Sequence, residues 1–535
     1  AVVFYGTGMT LSQRAQTFFD VEVTLDNPSD VMTLVNDYTL NGDLTLNQGD
    51  LQINDGSNTV PLRLDVAGDV RVSSNASLSV GTADAFDSGL ASGYGNYHQG
   101  FHVFRVGGDF INNGSVRLTN LTEPDYASRA TNGAASLVFY GAVDKKLTCN
   151  NTTDLYNLVV DKGSDRTYEL EVYADSKTDF ALFGQNDDDW DDTDAAHPEN
   201  RKALWIANGA LRLTGSVYIP TLTEGTRDYT IGERAALILD GPDVFVGNTA
   251  NENTDWTGLS HGDTRPNGVS DGGSQQGIYP YGKLQVNNGH YYQGESEAIN
   301  FRDEAPGIIE VNGGLLEANQ IAISSSASSG DFSFVLNGGE IRITREYGGD
   351  GTRAILNLDQ PDMNFTMTGG DLYIEAATGH TPGGIHISST KGNYNVTGGK
   401  VYIQAGAEVQ VQSTAPFYNV EVVDGSTLTL LNEPLEILGD VTIQNNAVLN
   451  TDGNDLYVGS NFDLLDGGAY NHDNNTTHFT GDSFTEVYVR NTSNPGELQF
   501  NDLVIEKDQR YNTSLYFSVQ MHSGWGRATD EHPVE

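Results

Sequence analysis

Cysteine, positive charge and long apolar runs are what this 535-residue chain has least of. Cys149 is the only cysteine, so no internal disulfide can staple the fold. No general-base motif stands near it to activate the thiol, and a small buried residue is expected there. Lys and Arg number 28 against 73 Asp and Glu, a net charge of −45. Such a surface repels nucleic-acid phosphates and anionic membranes, which excludes DNA or RNA as a partner. The acid surplus fits either a solvated surface in a saline medium or an affinity for divalent cations. No stretch of eighteen apolar residues occurs, so no membrane-spanning helix is expected. A signal peptide is missing as well: Ala1-Val2-Val3-Phe4-Tyr5-Gly6 opens in strand-like sequence, as a mature product or an excised fragment would.

What is abundant points to strands. Gly reaches 61 and Tyr 25, while hydrophobic residues make up only 37%. This mixture disfavours a helical core and favours short strands between tight turns. Apolar residues recur with period two almost throughout, which argues against disorder.

The alternation is organised into repeats. One family reads Gly-Asp, then an alternating strand: Gly42-Asp43-Leu44-Thr45-Leu46, Gly68-Asp69-Val70-Arg71-Val72, Gly108-Asp109-Phe110 and Gly439-Asp440-Val441-Thr442-Ile443. A second places Asn or Thr before a glycine pair, at Asn312-Gly313-Gly314, Asn337-Gly338-Gly339, Thr368-Gly369-Gly370 and Thr397-Gly398-Gly399. These pairs start 25, 31 and 29 residues apart. Turn residues that tolerate positive φ, spaced at the length of one coil with no helical stretch between, predict stacked coils. The fold class expected is all-β: a parallel β-helix or β-solenoid with irregular loop insertions, right-handed. Leu44, Leu46, Leu51, Ile53, Val70, Val72, Ile341, Ile343, Leu372, Ile374, Val441 and Ile443 should face inward. Thr45, Arg71, Arg342, Tyr373 and Thr442 should face out.

A third repeat has a longer period. Phe4-Tyr5-Gly6 precedes Phe18-Phe19-Asp20-Val21-Glu22-Val23, and Phe139-Tyr140-Gly141 precedes Leu155-Tyr156-Asn157-Leu158-Val159-Val160. Phe479-Thr480-Gly481 likewise precedes Phe500-Asn501-Asp502-Leu503-Val504-Ile505, and Phe417-Tyr418-Asn419-Val420 repeats the second half. Each reads as a module start. The modules expected are residues 1–135, 136–300 and 301–478, with 479–535 opening a further one that continues in a longer protein.

The aromatic-Asn-Leu-x-Val strand followed by Gly-Asp-Leu-x-Leu coils resembles the repetitive adhesin-like surface and secreted proteins of Bacteroidetes, substrates of type IX secretion. The resemblance covers most of the chain and is weakest over 216–300. It implies an extracellular, cell-surface location and an adhesive or appendage-forming role. Cell-surface glycans or other cells would be its targets, and neighbouring domains or copies of itself its partners.

Insertions between coils are where function collects. Residues 81–100 and 119–135 are two, and 246–282 is the longest, with Trp256, His261, Asp263 and Arg265. Aromatics there would either stack on sugar rings or clamp the loop to the coils. The sharpest local feature is Asp187, Asp188, Asp189, Asp191, Asp192 and Asp194 around Trp190. Six carboxylates so close are either bridged by Ca²⁺, which takes six to eight oxygen ligands, or left as a solvated acidic loop. The spacing is not that of an EF-hand. No other cofactor is expected.

The competing reading is a polysaccharide lyase or hydrolase. Such an enzyme needs clustered carboxylates on adjacent coils, or a cation site with a proton acceptor. Outward positions here carry Thr, Arg, Tyr and Glu in no repeated arrangement, and Gly-His-Gly and His-Glu-x-x-His are both missing. Arg302-Asp303-Glu304 and His261-Gly262-Asp263 are the nearest constellations and read as surface decoration. A non-catalytic protein is therefore expected.

Overall fold

The computed structural model describes residues 1–12, 16–54, 62–81, 102–120, 133–183, 203–219, 222, 229–247, 277–293, 298–302, 306–324, 331–345, 351–483, 485–489 and 498–507. Among them the chain is all-β, with many parallel strands in sheets and no helix. It divides into two compact units, one formed by Ala1–Gly277 with Gly282–Gly294, the other by Ile278–Tyr281 with Glu295–Glu535.

In the first unit, Val21–Leu25, Leu44–Ile53, Val70–Val80, Phe110–Asn112 and Lys145–Cys149 stack in parallel, each in register with the next. Val21, Leu44, Val70, Phe110 and Leu147 form one inward row. Each such side chain taken out of water contributes about 1.5–3 kcal/mol. Successive members of this row lie at unequal separations, 23, 26, 40 and 37 residues measured one position earlier along the strands. The two long intervals contain residues 82–101 and 121–132, so insertions enter between layers without disturbing the register.

The second unit shows the rotation of the chain most simply. Asn419–Val422, Thr427–Leu430 and Leu435–Ile437 belong to three different sheets. Val441–Ile443, Val448–Asn450 and Leu456–Val458 follow, and each pairs in parallel with the strand three elements earlier. Phe462–Leu464, Ala469–Asn471 and Thr476–Phe479 repeat the cycle. Layers here are 21 residues deep in sequence, shorter than the 25–31 read from the glycine pairs. This arrangement is consistent with a parallel β-solenoid.

The face assignments hold. All twelve residues expected inward are buried, none above 2% exposed. Arg71 is exposed and Thr45, Arg342, Tyr373 and Thr442 are half-buried on the opposite face.

The two glycine families do different work. In the pairs, the second glycine takes positive φ (66° at Gly314, 70° at Gly339, 73° at Gly370, 88° at Gly399), as expected of a turn. The glycine of Gly-Asp does not. A Cβ on Gly42 would lie 2.0 Å from Asp20 Oδ1, and one on Gly68 would lie 2.2 Å from Asp43 Oδ1. Its reason is close approach to the layer before, to a carboxylate at Gly42 and Gly68, to the Gly68 carbonyl oxygen at Gly108 and to the Asn419 amide oxygen at Gly439.

Candidate functional site

The aspartate of the Gly-Asp motif comes first, because its repetition could be mistaken for chemistry. Asp20 Oδ1 accepts the Asp43 N–H at 3.0 Å, Asp43 Oδ1 accepts the Asp69 N–H at 2.8 Å, and Asp69 Oδ1 accepts the Asp109 N–H at 3.0 Å. Asp109 Oδ1 closes the series on the Lys146 N–H at 3.0 Å. In the second unit the same place is held by Asn419, Asp440 and Asn461, whose Oδ1 atoms accept from Asp440, Asn461 and Glu486 at 2.8, 2.9 and 3.0 Å. An amide oxygen serves as well as a carboxylate, so the ladder needs an acceptor and not a charge. These residues tie layers together. The motif is legible in the sequence, whereas the close approach that its glycine permits arises only once the layers stack.

The most developed outward surface lies on the second unit. Glu317, Arg342, Tyr373, Tyr402, Glu421, Thr442 and Asp463 occupy one register position on seven successive strands. Period-two alternation places them outward, opposite the buried Leu372 and Ile374. The Tyr373 and Tyr402 rings stack 4.6 Å apart and 8° from parallel. Arg342 lies 4.3 Å over the Tyr373 ring, and Lys400 Nζ lies 4.8 Å from the Tyr402 centroid. Arg342 also bonds Glu340 Oε2 at 2.8 Å and Glu375 Oε1 at 3.0 Å, while Lys400 pairs with Glu421. Burial pulls the guanidinium and the ammonium down, but these carboxylates outweigh it and hold both above their ordinary values. Asp371, level with Glu340 and Lys400, moves the other way: burial and the nearby Glu340 raise its carboxyl.

The strip thus carries six carboxylates (Glu317, Glu340, Asp371, Glu375, Glu421 and Asp463) and two cations (Arg342 and Lys400). Both cations are engaged by those carboxylates. Because the tyrosine faces cover each other, what the rings offer outward is their edges and hydroxyls. Such a surface favours hydrogen bonding to a neutral or basic partner and repels an anionic one.

Other expected residues fall as follows. Cys149 is fully buried, and burial pushes its thiol up to about 12. Arg302 lies 3.6 Å over the Tyr279 ring and donates to its hydroxyl at 2.6 Å, while Asp303 and Glu304 lie outside the described residues. Asp187, Asp188, Asp189, Asp191, Asp192 and Asp194 lie outside them too, as do Trp256, His261, Asp263 and Arg265. Among the described residues no group of three or more His, Cys, Asp or Glu is placed to hold a metal ion. No helix among them is long and apolar enough to cross a membrane. Comparison with protein-family models, curated proteins and solved structures finds no match for this chain.

Proposed function

We propose that this chain is a right-handed parallel β-solenoid acting as a structural and adhesive segment of a large extracellular bacterial surface protein. It would belong with the repetitive adhesin-like type IX substrates of Bacteroidetes that its wording resembles. The observation that carries the reading is the use made of outward polar groups. Aspartates and asparagines at one corner of the layers, such as Asp43 and Asp440, accept amides of the next layer, and Arg342 and Lys400 are engaged by carboxylates beside them. Side chains spent on holding layers in place favour a stiff scaffold over a reaction centre.

The strip from Glu317 to Asp463 is the surface best suited to attachment. Its surplus of carboxylates points to neutral or amino-bearing glycans, recognised by hydrogen bonds to tyrosine hydroxyls and carboxylates. A glycan array probed with the intact chain tests this. Neutral and basic glycans should be retained, acidic ones should not, and Tyr373→Ala with Tyr402→Ala should remove the signal. Retention that ignores both substitutions would assign attachment to another face.

One observation favours the enzymatic alternative. Asp371, raised by burial and by Glu340, has the protonation bias of a general acid. A polysaccharide hydrolase or lyase centred there would lose all product formation on Asp371→Asn.

A further inference from the structure

The outward column that starts at Glu317 does not stop at Asp463, because Tyr488 takes the same register position on the next strand. Its eight members, one per layer, are all half-buried. A second column lies two residues earlier on each strand and runs from Glu340 through Asp371 and Lys400 to Asn419. The side-chain ladder continues it through Asp440 and Asn461 to Glu486. The columns stand about 7 Å apart, and eight layers at a spacing of about 4.8 Å carry the first over about 34 Å. The strands beneath are short: Val441–Ile443, Phe462–Leu464 and Val487–Val489 have three residues each. A ligand laid across them runs off the sheet after two outward positions. One laid along the stack meets a new layer at every step.

The groups left over in these columns indicate the chemistry of an occupant. Arg342 and Lys400 are held by carboxylates. Among the described residues, however, the Tyr373 and Thr442 hydroxyls have no hydrogen-bond partner, so both can donate to and accept from a neutral ligand. Burial, with Asp440 and Glu486 alongside, raises the Asp463 carboxyl. An acidic polymer would add to the repulsion already present there, and a neutral one would not. The step between layers is measured by the Tyr373 and Tyr402 centroids, 4.6 Å apart. An extended β-1,4-linked chain of pyranoses advances by nearly this step per sugar, whereas an α-1,4-linked chain coils and falls out of step.

We propose that the strip is a track for a single linear, neutral, β-1,4-linked polysaccharide lying along the stack, one sugar to each layer. The proposal rests on the attachment reading above and narrows its ligand to one class. Sugars over Tyr373 and Tyr402 meet ring edges and hydroxyls, and those on either side meet polar groups of the two columns. Hydrogen bonds of modest net strength hold each sugar, so affinity is set by how many layers one chain covers.

Fluorescently labelled cellobiose, cellotetraose and cellohexaose are titrated with the intact chain. Affinity should rise at each step, by at least about tenfold from cellobiose to cellohexaose, and maltohexaose should bind at least about tenfold more weakly than cellohexaose. Thr442→Arg obstructs the track beyond the tyrosine pair. It should lower cellohexaose binding toward that of cellotetraose and leave cellobiose unchanged. Asn471→Arg makes the same change of charge at an exposed position of the ten-stranded sheet and should alter neither. Cellohexaose that binds no tighter than cellobiose or maltohexaose, or that ignores Thr442→Arg, overturns the track and leaves attachment of short glycans standing. A glucosamine hexamer bound in preference to cellohexaose overturns it too, since charge would then select the ligand. Absence of binding by any glycan removes the attachment reading as well.

Discussion

Replacing Asp43 by alanine leaves the Asp69 N–H without its side-chain acceptor, whereas asparagine retains an oxygen in the same place. Asp43→Ala should cost about 1 kcal/mol in chemical denaturation, since water reaches this half-exposed site. Asp43→Asn should cost less than half as much, because Asn419 and Asn461 already fill the equivalent place in the second unit. Gly68→Ala should be worse than either, by about 1–3 kcal/mol, with its Cβ 2.2 Å from Asp43 Oδ1 and 2.6 Å from the Gly42 carbonyl oxygen. A histidine gives the pH dependence. Burial pushes the His102 imidazole down to about 4, and its Nδ1 accepts the Leu62 N–H at 2.8 Å, a bond that protonation abolishes. Unfolded, the group takes up a proton near 6.5; folded, it does so only near 4. Its contribution is therefore whole above pH 6.5 and is lost as pH falls toward 4, by at most about 3 kcal/mol. Denaturation of His102→Gln between pH 4 and 7 should show a flatter slope than the unsubstituted chain, and an equal slope would contradict the assignment. Cys149 should stay inert toward a thiol reagent at pH 8 until denaturant is added, its thiol being buried and held in the neutral form.

At the scale of the strand, period-two alternation carried almost everything. Leu372 and Ile374 go in and Tyr373 stays out because a pleated strand leaves no other choice once one face is buried. The shared wording of Phe4-Tyr5-Gly6 and Phe139-Tyr140-Gly141 reflects one pairing, in which the aromatic stands opposite Val23 or Val160. What sequence did not disclose is which outward residues meet. Arg342, Tyr373 and Tyr402 are spread over 61 positions of the chain, and only the register stacks them. The 25–31 spacing of the glycine pairs does not extend over Asn419–Phe479, where one positive-φ residue per layer, Gly425, Asn446 and then Gly467, marks a period of 21. The candidate strip was visible only as residues expected outward; its ion pairs were not. Arg342→Ala should cost about 1 kcal/mol, leaving Glu340 and Glu375 without the cation they share, and the cost should shrink in high salt. Thermal denaturation at low and high ionic strength checks both parts.

At the scale of the molecule, the proposed scaffold spends its outward side chains on layering and attachment, and a polymer bound at the strip should be released uncut. A lyase or hydrolase would need the same face to break it. The most direct measurement incubates the intact chain with a panel of neutral, amino-bearing and acidic polysaccharides, then determines the bound fraction and the length distribution of each polymer. Retention of neutral or amino-bearing polymers with unchanged lengths, lost on Tyr373→Ala with Tyr402→Ala, is the result expected. Shortening of any polymer, abolished by Asp371→Asn, would contradict the account and make the strip an active site.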